Sequence, residues 1–183
     1  MTATGQVTAS DLEAMLKDAA LAGTWTLDPA RSSVGLRSKS MWGLAPVKGT
    51  FGEVAGTGTV SPDGQVSGTV TVAAASVDTK VAKRDAHLRS ADFFDAGNHP
   101  HLTFRVDRIS PSSRGVTVAG ALTVRDRTRP LSFDATLSTP GTDEVRLDAE
   151  VEVDRSDYGL TWSPMRMASM RNTITLHLVF TRS

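Results

Sequence analysis

The sequence predicts an all-β protein, folded as an antiparallel up-and-down barrel of about eight to nine strands. Two further elements are expected, a short helical insertion and an N-terminal helix. From Thr24 onward, apolar and polar residues alternate along most of the chain, as in strands with one buried face. Turns between these runs are short, which favours sequential hairpins over a Greek-key sandwich. The segment 76–104 alone interrupts the alternation with helix-like spacing.

Length and composition exclude several classes of function. A chain of 183 residues suits one domain with a proper core. Twenty basic and twenty acidic residues give a formal net charge of zero, so we expect no nucleic-acid partner and no attraction to an anionic membrane. The absence of cysteine excludes disulfides, thiolate metal sites and thiol catalysis.

The first residues carry no targeting signal that we can identify. Residues 1–23 lack a basic start followed by an apolar run, and no stretch approaches the roughly 20 apolar residues that span a bilayer. We therefore expect a soluble, cytoplasmic protein, periplasmic or extracellular only if a signal segment has been removed. Residues 1–9 are small and polar, and we expect them to be disordered.

A helix over about residues 11–20 is expected next. Ser10 and Glu13 have the spacing of a capping box, and Gly23 ends the segment. Its apolar stripe comprises Leu12, Met15, Leu16 and Ala19. This stripe either closes one end of the barrel or mediates self-association, which leaves a homodimer possible. Residues 1–23 are thus interpreted as an extension and residues 24–183 as the barrel domain.

The first strands alternate clearly but are interrupted by unusual segments. Asp28-Pro29 predicts a turn after the first strand. Residues 41–46 form an apolar loop, although loops are normally polar. Residues 47–60 are expected to form a strand pair in which several glycines allow bulges and coiling.

The later strands are regular. Hairpin turns are predicted at residues 113–115 and at Asp126-Arg127. Between strands, Asp78 or Thr79 is expected to cap a helix over about residues 80–88, and Ser90 a second turn.

A barrel of about eight strands either fills with its own side chains or holds one small ligand. The inward residues are mainly small and apolar, so the interior suits a long aliphatic molecule. The residues expected to line the cavity are Leu36, Phe51, Val70, Phe94, Phe104, Val118, Leu122, Phe133 and Leu147. Those expected to form its mouth are Met41, Trp42, Leu44, Tyr158, Trp162 and Met165. Alternatively, the two mouth segments simply pack on each other as a lid.

Several motifs together resemble the YceI-like family of lipid- and polyisoprenoid-binding proteins. They are WTLDP from Trp25, VKGTF from Val47, RDAHLRSADFFD from Arg84, GALTVRDRTRPLSF from Gly120 and VDRSDYGLTW from Val153. The resemblance covers about residues 24–180. It implies an extended lipocalin-like barrel that binds, carries or senses an isoprenoid or fatty-chain amphiphile. It also implies a binding protein and no enzyme, with no cofactor or metal beyond such a bound lipid.

The chain departs from this resemblance in two places. Many relatives carry a signal peptide, whereas this chain begins with a polar segment and an added helix. Relatives also often have a histidine after the second strand, where this chain reads Arg37-Ser38-Lys39-Ser40. A head-group contact by that histidine does not carry over.

The polar candidates are Arg84, Asp85, His87 and Arg155. They either contact a ligand head group or anchor the inserted helix, with Arg84 or Asp85 paired to a charge such as Arg155 or Asp154.

Other groups of polar residues are weaker candidates for a functional site. His99 and His101 could ligate a metal, but no third ligand has matching spacing, so no metal site is predicted. Asp154 and Asp157 fit a turn with a salt bridge better than an acid–base pair. Two alternative functions stay open: an enzyme using His87 or Tyr158, and a filled barrel that binds a partner protein.

Overall fold

The computed structural model describes residues 5–183 as two helices and eleven strands. Helix α1 spans Ala9–Lys17 and helix α2 spans Ala82–Arg89. The strands are β1 Gly23–Leu27, β2 Ser33–Ser40, β3 Ala45–Phe51, β4 Val54–Val60, β5 Val66–Ala73, β6 Val77–Asp78, β7 His101–Ser112, β8 Gly115–Val124, β9 Arg127–Gly141, β10 Glu144–Asp154 and β11 Arg171–Arg182.

Eight of the strands close into a barrel, which confirms the predicted fold. Its order is β1-β4-β5-β7-β8-β9-β10-β11, and β11 pairs back onto β1. All pairings between strands are antiparallel. Strands β2, β3 and β6 extend the sheet beyond the closed ring, because β11 pairs with β1 near its end and with β2 near its start.

The predicted pairing within residues 47–60 is wrong. Strand β3 pairs with β2 and β6, whereas β4 pairs with β1 and β5. Strands β3 and β4 are therefore consecutive stretches of extended chain, separated by Gly52 and Glu53, and not the two arms of a hairpin. Register shifts occur between β7 and β8 and between β9 and β10, away from the glycines expected to bulge.

Helix α1 begins two residues earlier than predicted, with a different capping box. The Thr8 hydroxyl accepts a hydrogen bond from the Asp11 amide at 3.1 Å, and the Asp11 carboxylate accepts one from the Thr8 amide at 3.0 Å. Val7 and Leu12 are both buried, in the positions of a hydrophobic staple, which explains why Thr8 is preferred to Ser10.

Residues 5–9 are ordered against the barrel, contrary to the expected disorder. The Val7 amide donates to the Leu137 carbonyl of β9 at 2.8 Å, and the Thr139 amide donates to the Gly5 carbonyl at 2.8 Å. Residues 1–4 of the predicted disordered segment lie outside the described residues.

The capping of the inserted helix also differs from the prediction. Helix α2 begins at Ala82, and neither Asp78 nor Thr79 caps it. The turn after the helix is confirmed, since the Ser90 hydroxyl accepts from the Asp92 amide at 3.4 Å. The β8–β9 turn lies at Arg125-Asp126, one residue before the predicted position. No helix within residues 5–183 is both long and apolar enough to cross a membrane.

Candidate functional site: the barrel interior

The barrel encloses an apolar cavity of about 180 Å³. Its lining comes from alternate positions of β5, β7–β11, β2 and β3, because side chains on one face of a strand recur every second residue. The lining residues are Val34, Phe51, Val70, Val72, Leu102, Phe104, Val106, Ile109, Val118, Leu122, Leu131, Phe133, Leu147, Val151, Val153, Ile174, Leu176, Leu178 and Phe180. Every member of this set is apolar.

A second apolar cavity of about 120 Å³ adjoins the first, beneath helix α1. Leu12, Leu16 and Leu21 cover it from the N-terminal side. The two cavities share Val70 and Phe180, together with Val106 and Ile109, so they form neighbouring parts of one interior. Helix α1 therefore closes one end of the barrel, the first of its two predicted roles.

Seven of the predicted lining residues face the larger cavity: Phe51, Val70, Phe104, Val118, Leu122, Phe133 and Leu147. Leu36 and Phe94 do not line it. Leu36 packs beside the buried core, and Phe94 is buried with its ring edge against Phe51 at 5.8 Å between centroids.

The predicted mouth residues do not line either cavity. Met41, Trp42, Leu44, Trp162 and Met165 are exposed to solvent. Tyr158 has the opposite placement, since it is buried in the core, and this burial raises the pKa of its phenol. One hydrogen bond joins the two segments, from the Trp42 amide to the Met167 carbonyl at 3.2 Å, and the Ser169 amide donates to the Lys39 carbonyl of β2 at 2.9 Å.

Helix α2 is fixed at the other end of the barrel through Thr79. The buried Asp85 carboxylate accepts from the Thr79 amide at 2.8 Å and from its hydroxyl at 2.5 Å. Arg84 donates to the Thr79 hydroxyl at 2.8 Å and to its carbonyl at 3.0 Å. The close approach also requires a glycine on β3, since a Cβ at Gly49 would lie 2.9 Å from the Thr79 methyl group.

Arg155 is buried and bonds to backbone carbonyls. Its guanidinium donates to the carbonyls of Leu160 at 2.6 Å, Ser169 at 2.9 Å and Ala168 at 3.4 Å. Burial away from water lowers the pKa of Arg155. The predicted ion pair between Arg155 or Asp154 and helix α2 is wrong, because carbonyls of its own loop surround Arg155 and Thr79 satisfies Asp85.

Aromatic contacts join helix α2 to the segment 155–170. The His87 ring lies edge-on to Trp162 at 4.2 Å and to Phe93 at 5.3 Å between centroids. The Arg155 guanidinium lies 5.3 Å from the Phe93 centroid, which adds a cation–π contact. His87 also bonds the exposed Asp92 carboxylate at 2.9 Å. Arg84, Asp85, His87 and Arg155 thus hold this end of the barrel together and do not face the cavity.

Two of the other three histidines, His99 and His177, lie beside carboxylates near the surface. His177 bonds Asp148 at 2.6 Å on the outer face, and His99 lies 4.0 Å from the Asp95 carboxylate. Within the described part of the chain, no three His, Asp or Glu side chains converge as metal ligands would.

Strands β9 and β10 are paired along only part of their length. These strands pair from Glu144 to Asp148, and no further pairs between them are formed toward Asp154 within residues 5–183. An outer cleft of about 720 Å³ lies along this seam, and Phe133 and Val151 line both the cleft and the inner cavity. At this seam, the side chains of Phe133 and Val151 separate the inner cavity from the outer cleft.

The sequence-based prediction missed more than half of the lining. Residues such as Leu102, Ile174 and Phe180 lie on the same alternating faces as the residues that were chosen. Alternation could have identified them. It could not show how far along each strand the cavity extends.

A closed antiparallel barrel of eight strands with an apolar interior is the architecture of the lipocalin-like class of barrel proteins. The YceI-like domain model matches residues 25–181, so the chain belongs to the YceI-like family.

Relatives and solved structures agree with this assignment. Protein YceI of Escherichia coli O157:H7 is 30% identical over 125 residues, 64% of this chain and 65% of that protein. A UPF0312 protein of Serratia proteamaculans is 34% identical over 97 residues, 50% of each chain. The chain spans about half the length of the first curated relatives it matches.

Two solved structures share the fold. BcnA of Burkholderia cenocepacia has a TM-score of 0.75 at 24% identity, with 84% of this chain and 98% of that chain covered. A polyisoprenoid binding domain of Saccharophagus degradans has a TM-score of 0.72 at 14% identity, with 87% and 98% covered.

Proposed function

We propose that this protein binds one long apolar molecule, an isoprenoid or fatty-chain amphiphile, inside the barrel. The observation that carries the proposal is the pair of adjoining cavities, which are lined almost wholly by apolar side chains and together reach from helix α1 to Leu102, Val153 and Ile174. The Saccharophagus degradans neighbour is described as polyisoprenoid-binding, which supports the choice of the first ligands to test.

The lining favours a ligand over trapped water. An apolar cavity of roughly 150 Å³ stays dry and takes up small apolar molecules, because water there has no polar partners. Each methylene group moved from water into such a cavity contributes about 0.8 kcal/mol. A chain of several isoprene units would therefore bind through burial alone, with specificity set by length and branching.

We propose binding in preference to catalysis. A catalytic site needs convergent polar groups within reach of the substrate. The lining residues of the larger cavity include no titratable side chain. His87 and Tyr158, the two candidates for acid–base roles, lie in the packing at the α2 end and do not line either cavity.

The direct test is mass spectrometry of the native protein, before and after solvent extraction. We expect a mass excess of a few hundred daltons, released on extraction as a lipid. A protein that carries no excess and gains none with isoprenoid quinones or fatty amides would refute apolar ligand binding.

A matched pair of variants tests where the ligand lies. Val70 lines both cavities, so Val70→Phe places a larger side chain at their junction. Its neighbour Thr71 lines neither, and Thr71→Phe is the control. We expect Val70→Phe to reduce uptake of a naphthylamine fluorophore at least about tenfold, with the Thr71→Phe protein unchanged. Equal uptake by both variants would place the ligand outside the barrel.

A further inference from the structure

The two apolar segments that were expected to form a cavity mouth instead project into solvent beyond the barrel. We define the tip as residues 41–44, in the β2–β3 hairpin, together with residues 162–167. Leu44 is 83% exposed, Met165 78% and Trp42 64%. Large apolar side chains clustered on a soluble surface mark an interaction site.

Hydrogen bonds fix the conformation of the tip. The hydrogen bond from the Trp42 amide to the Met167 carbonyl joins the two segments, and the Leu44 amide donates to the Met41 carbonyl at 3.2 Å. Met41, Trp42 and Met165 have φ between 50° and 55°, a region that costs bulky residues about 1–3 kcal/mol each. That strain directs their side chains away from the barrel without any gain in core packing.

The two stretches of chain that carry the tip contain basic but no acidic residues. Neither residues 29–52 nor residues 158–183 contain an Asp or Glu. Lys39, Lys48 and Arg166 are exposed, and none of them forms an ion pair with any other residue in the range 5–183. A net charge of zero is therefore compatible with a local excess of basic side chains at the tip.

We propose that the tip docks on the surface of an anionic phospholipid bilayer. Tryptophan prefers the membrane interface, where its ring is apolar and its N–H meets water. Leu44 and Met165 supply apolar area for shallow insertion, and the surrounding basic side chains attract acidic head groups. The combination of exposed apolar side chains and unpaired positive charge fits a lipid surface better than a protein groove, which would need a defined shape.

The test is sedimentation of the whole protein with phospholipid vesicles at low salt. We expect binding to vesicles with about 30% phosphatidylglycerol, weak binding to pure phosphatidylcholine, and release as salt screens the charges. Leu44→Ser and Arg166→Glu should each weaken binding at least about fivefold. The control Arg114→Glu changes an exposed arginine in the β7–β8 turn and should bind normally.

Tryptophan fluorescence reports whether the tip is the part of the protein that faces the membrane. Trp25 is buried at the α1 end of the barrel, so in a Trp162→Phe protein Trp42 is the exposed reporter. We expect its emission to shift to shorter wavelength on anionic vesicles and to be quenched by lipids brominated near the head group.

Three outcomes would overturn the proposal: equal sedimentation with both vesicle types, unchanged binding by Leu44→Ser and Arg166→Glu, or a dimer that Leu44→Ser disperses. The last would show that a second copy covers the tip. None of them bears on ligand uptake by the barrel, which is measured without vesicles.

Discussion

Replacing Arg155 with alanine tests what holds the segment 155–170 in place. Arg155 is 7% exposed, and its guanidinium bonds three carbonyls of the loop that follows it. No carboxylate pairs with it among the residues described here. The loop therefore folds around a buried cation, and its removal leaves three carbonyls without their donor.

The cost can be worked from these contacts. Hydrogen bonds to a charged group contribute about 1.5–3 kcal/mol each, and the bonds to Leu160 and Ser169 are well formed. The bond to Ala168, at 3.4 Å, is weaker. The cation–π contact with Phe93 adds about 1 kcal/mol. Water can satisfy some of the released carbonyls near the surface, so we expect a net loss of about 3–4 kcal/mol.

Urea unfolding followed by circular dichroism measures this loss. Arg155→Lys should fall between the wild type and Arg155→Ala, because an ammonium group keeps the charge but cannot span three carbonyls. Arg129→Ala is the control, since Arg129 is exposed and bonds the adjacent Thr128 carbonyl. A loss below about 1 kcal/mol for Arg155→Ala would show that packing, and not Arg155, determines the loop.

Two further predictions concern stability. Gly120→Ala should destabilise the fold by about 3 kcal/mol, because its Cβ would lie 2.0 Å from the Arg105 carbonyl oxygen; Gly35→Ala, with its nearest neighbour at 3.6 Å, should cost far less in the same urea assay. Hydrogen bonds from Arg31 and Arg146 lower the pKa of the Glu144 carboxyl group. This stabilisation is present above the unfolded-state pKa and is lost as pH falls, so Glu144→Gln should flatten the stability profile between about pH 5 and pH 3; parallel profiles would contradict it.

Much of the fold is predictable because the hydrophobic alternation is strong. Inward residues such as Phe104, Val118 and Phe133 follow from a period of two, and closure follows from sequential hairpins. The sequence analysis paired β3 with β4 wrongly, because alternation does not show which strands are neighbours in the sheet. Thr8 was passed over as the helix cap because Ser10 has the same spacing, and only the burial of Val7 and Leu12 in the folded protein distinguishes the two candidates.

The surroundings of the site were less predictable for a physical reason. Arg155 has charged neighbours in the sequence, so an ion pair was the natural interpretation. Its actual partners are backbone carbonyls, which carry no sequence signal. Trp42 and Met165 were assigned to the cavity mouth because they lie in apolar loops, yet both have left-handed backbone conformations and are exposed. Such conformations are unusual for these residue types and are not predicted from composition.

The two ends of the barrel are closed by different interactions, and this difference bears on how an interior ligand would exchange. At the α2 end, hydrogen bonds centred on Thr79 hold the helix, and others centred on Arg155 hold the loop that follows β10. At the other end, α1 has nine residues, too few to be stable alone, and it covers the cavity with Leu12 and Leu16. The hydrogen bonds at this end lie on either side of the helix, from Val7 to β9 and from Trp25 to the Leu21 carbonyl, whereas the helix itself packs through apolar side chains. Because the proposed ligand would replace the apolar contacts that the leucines lose, we expect exchange to cost least at the α1 end.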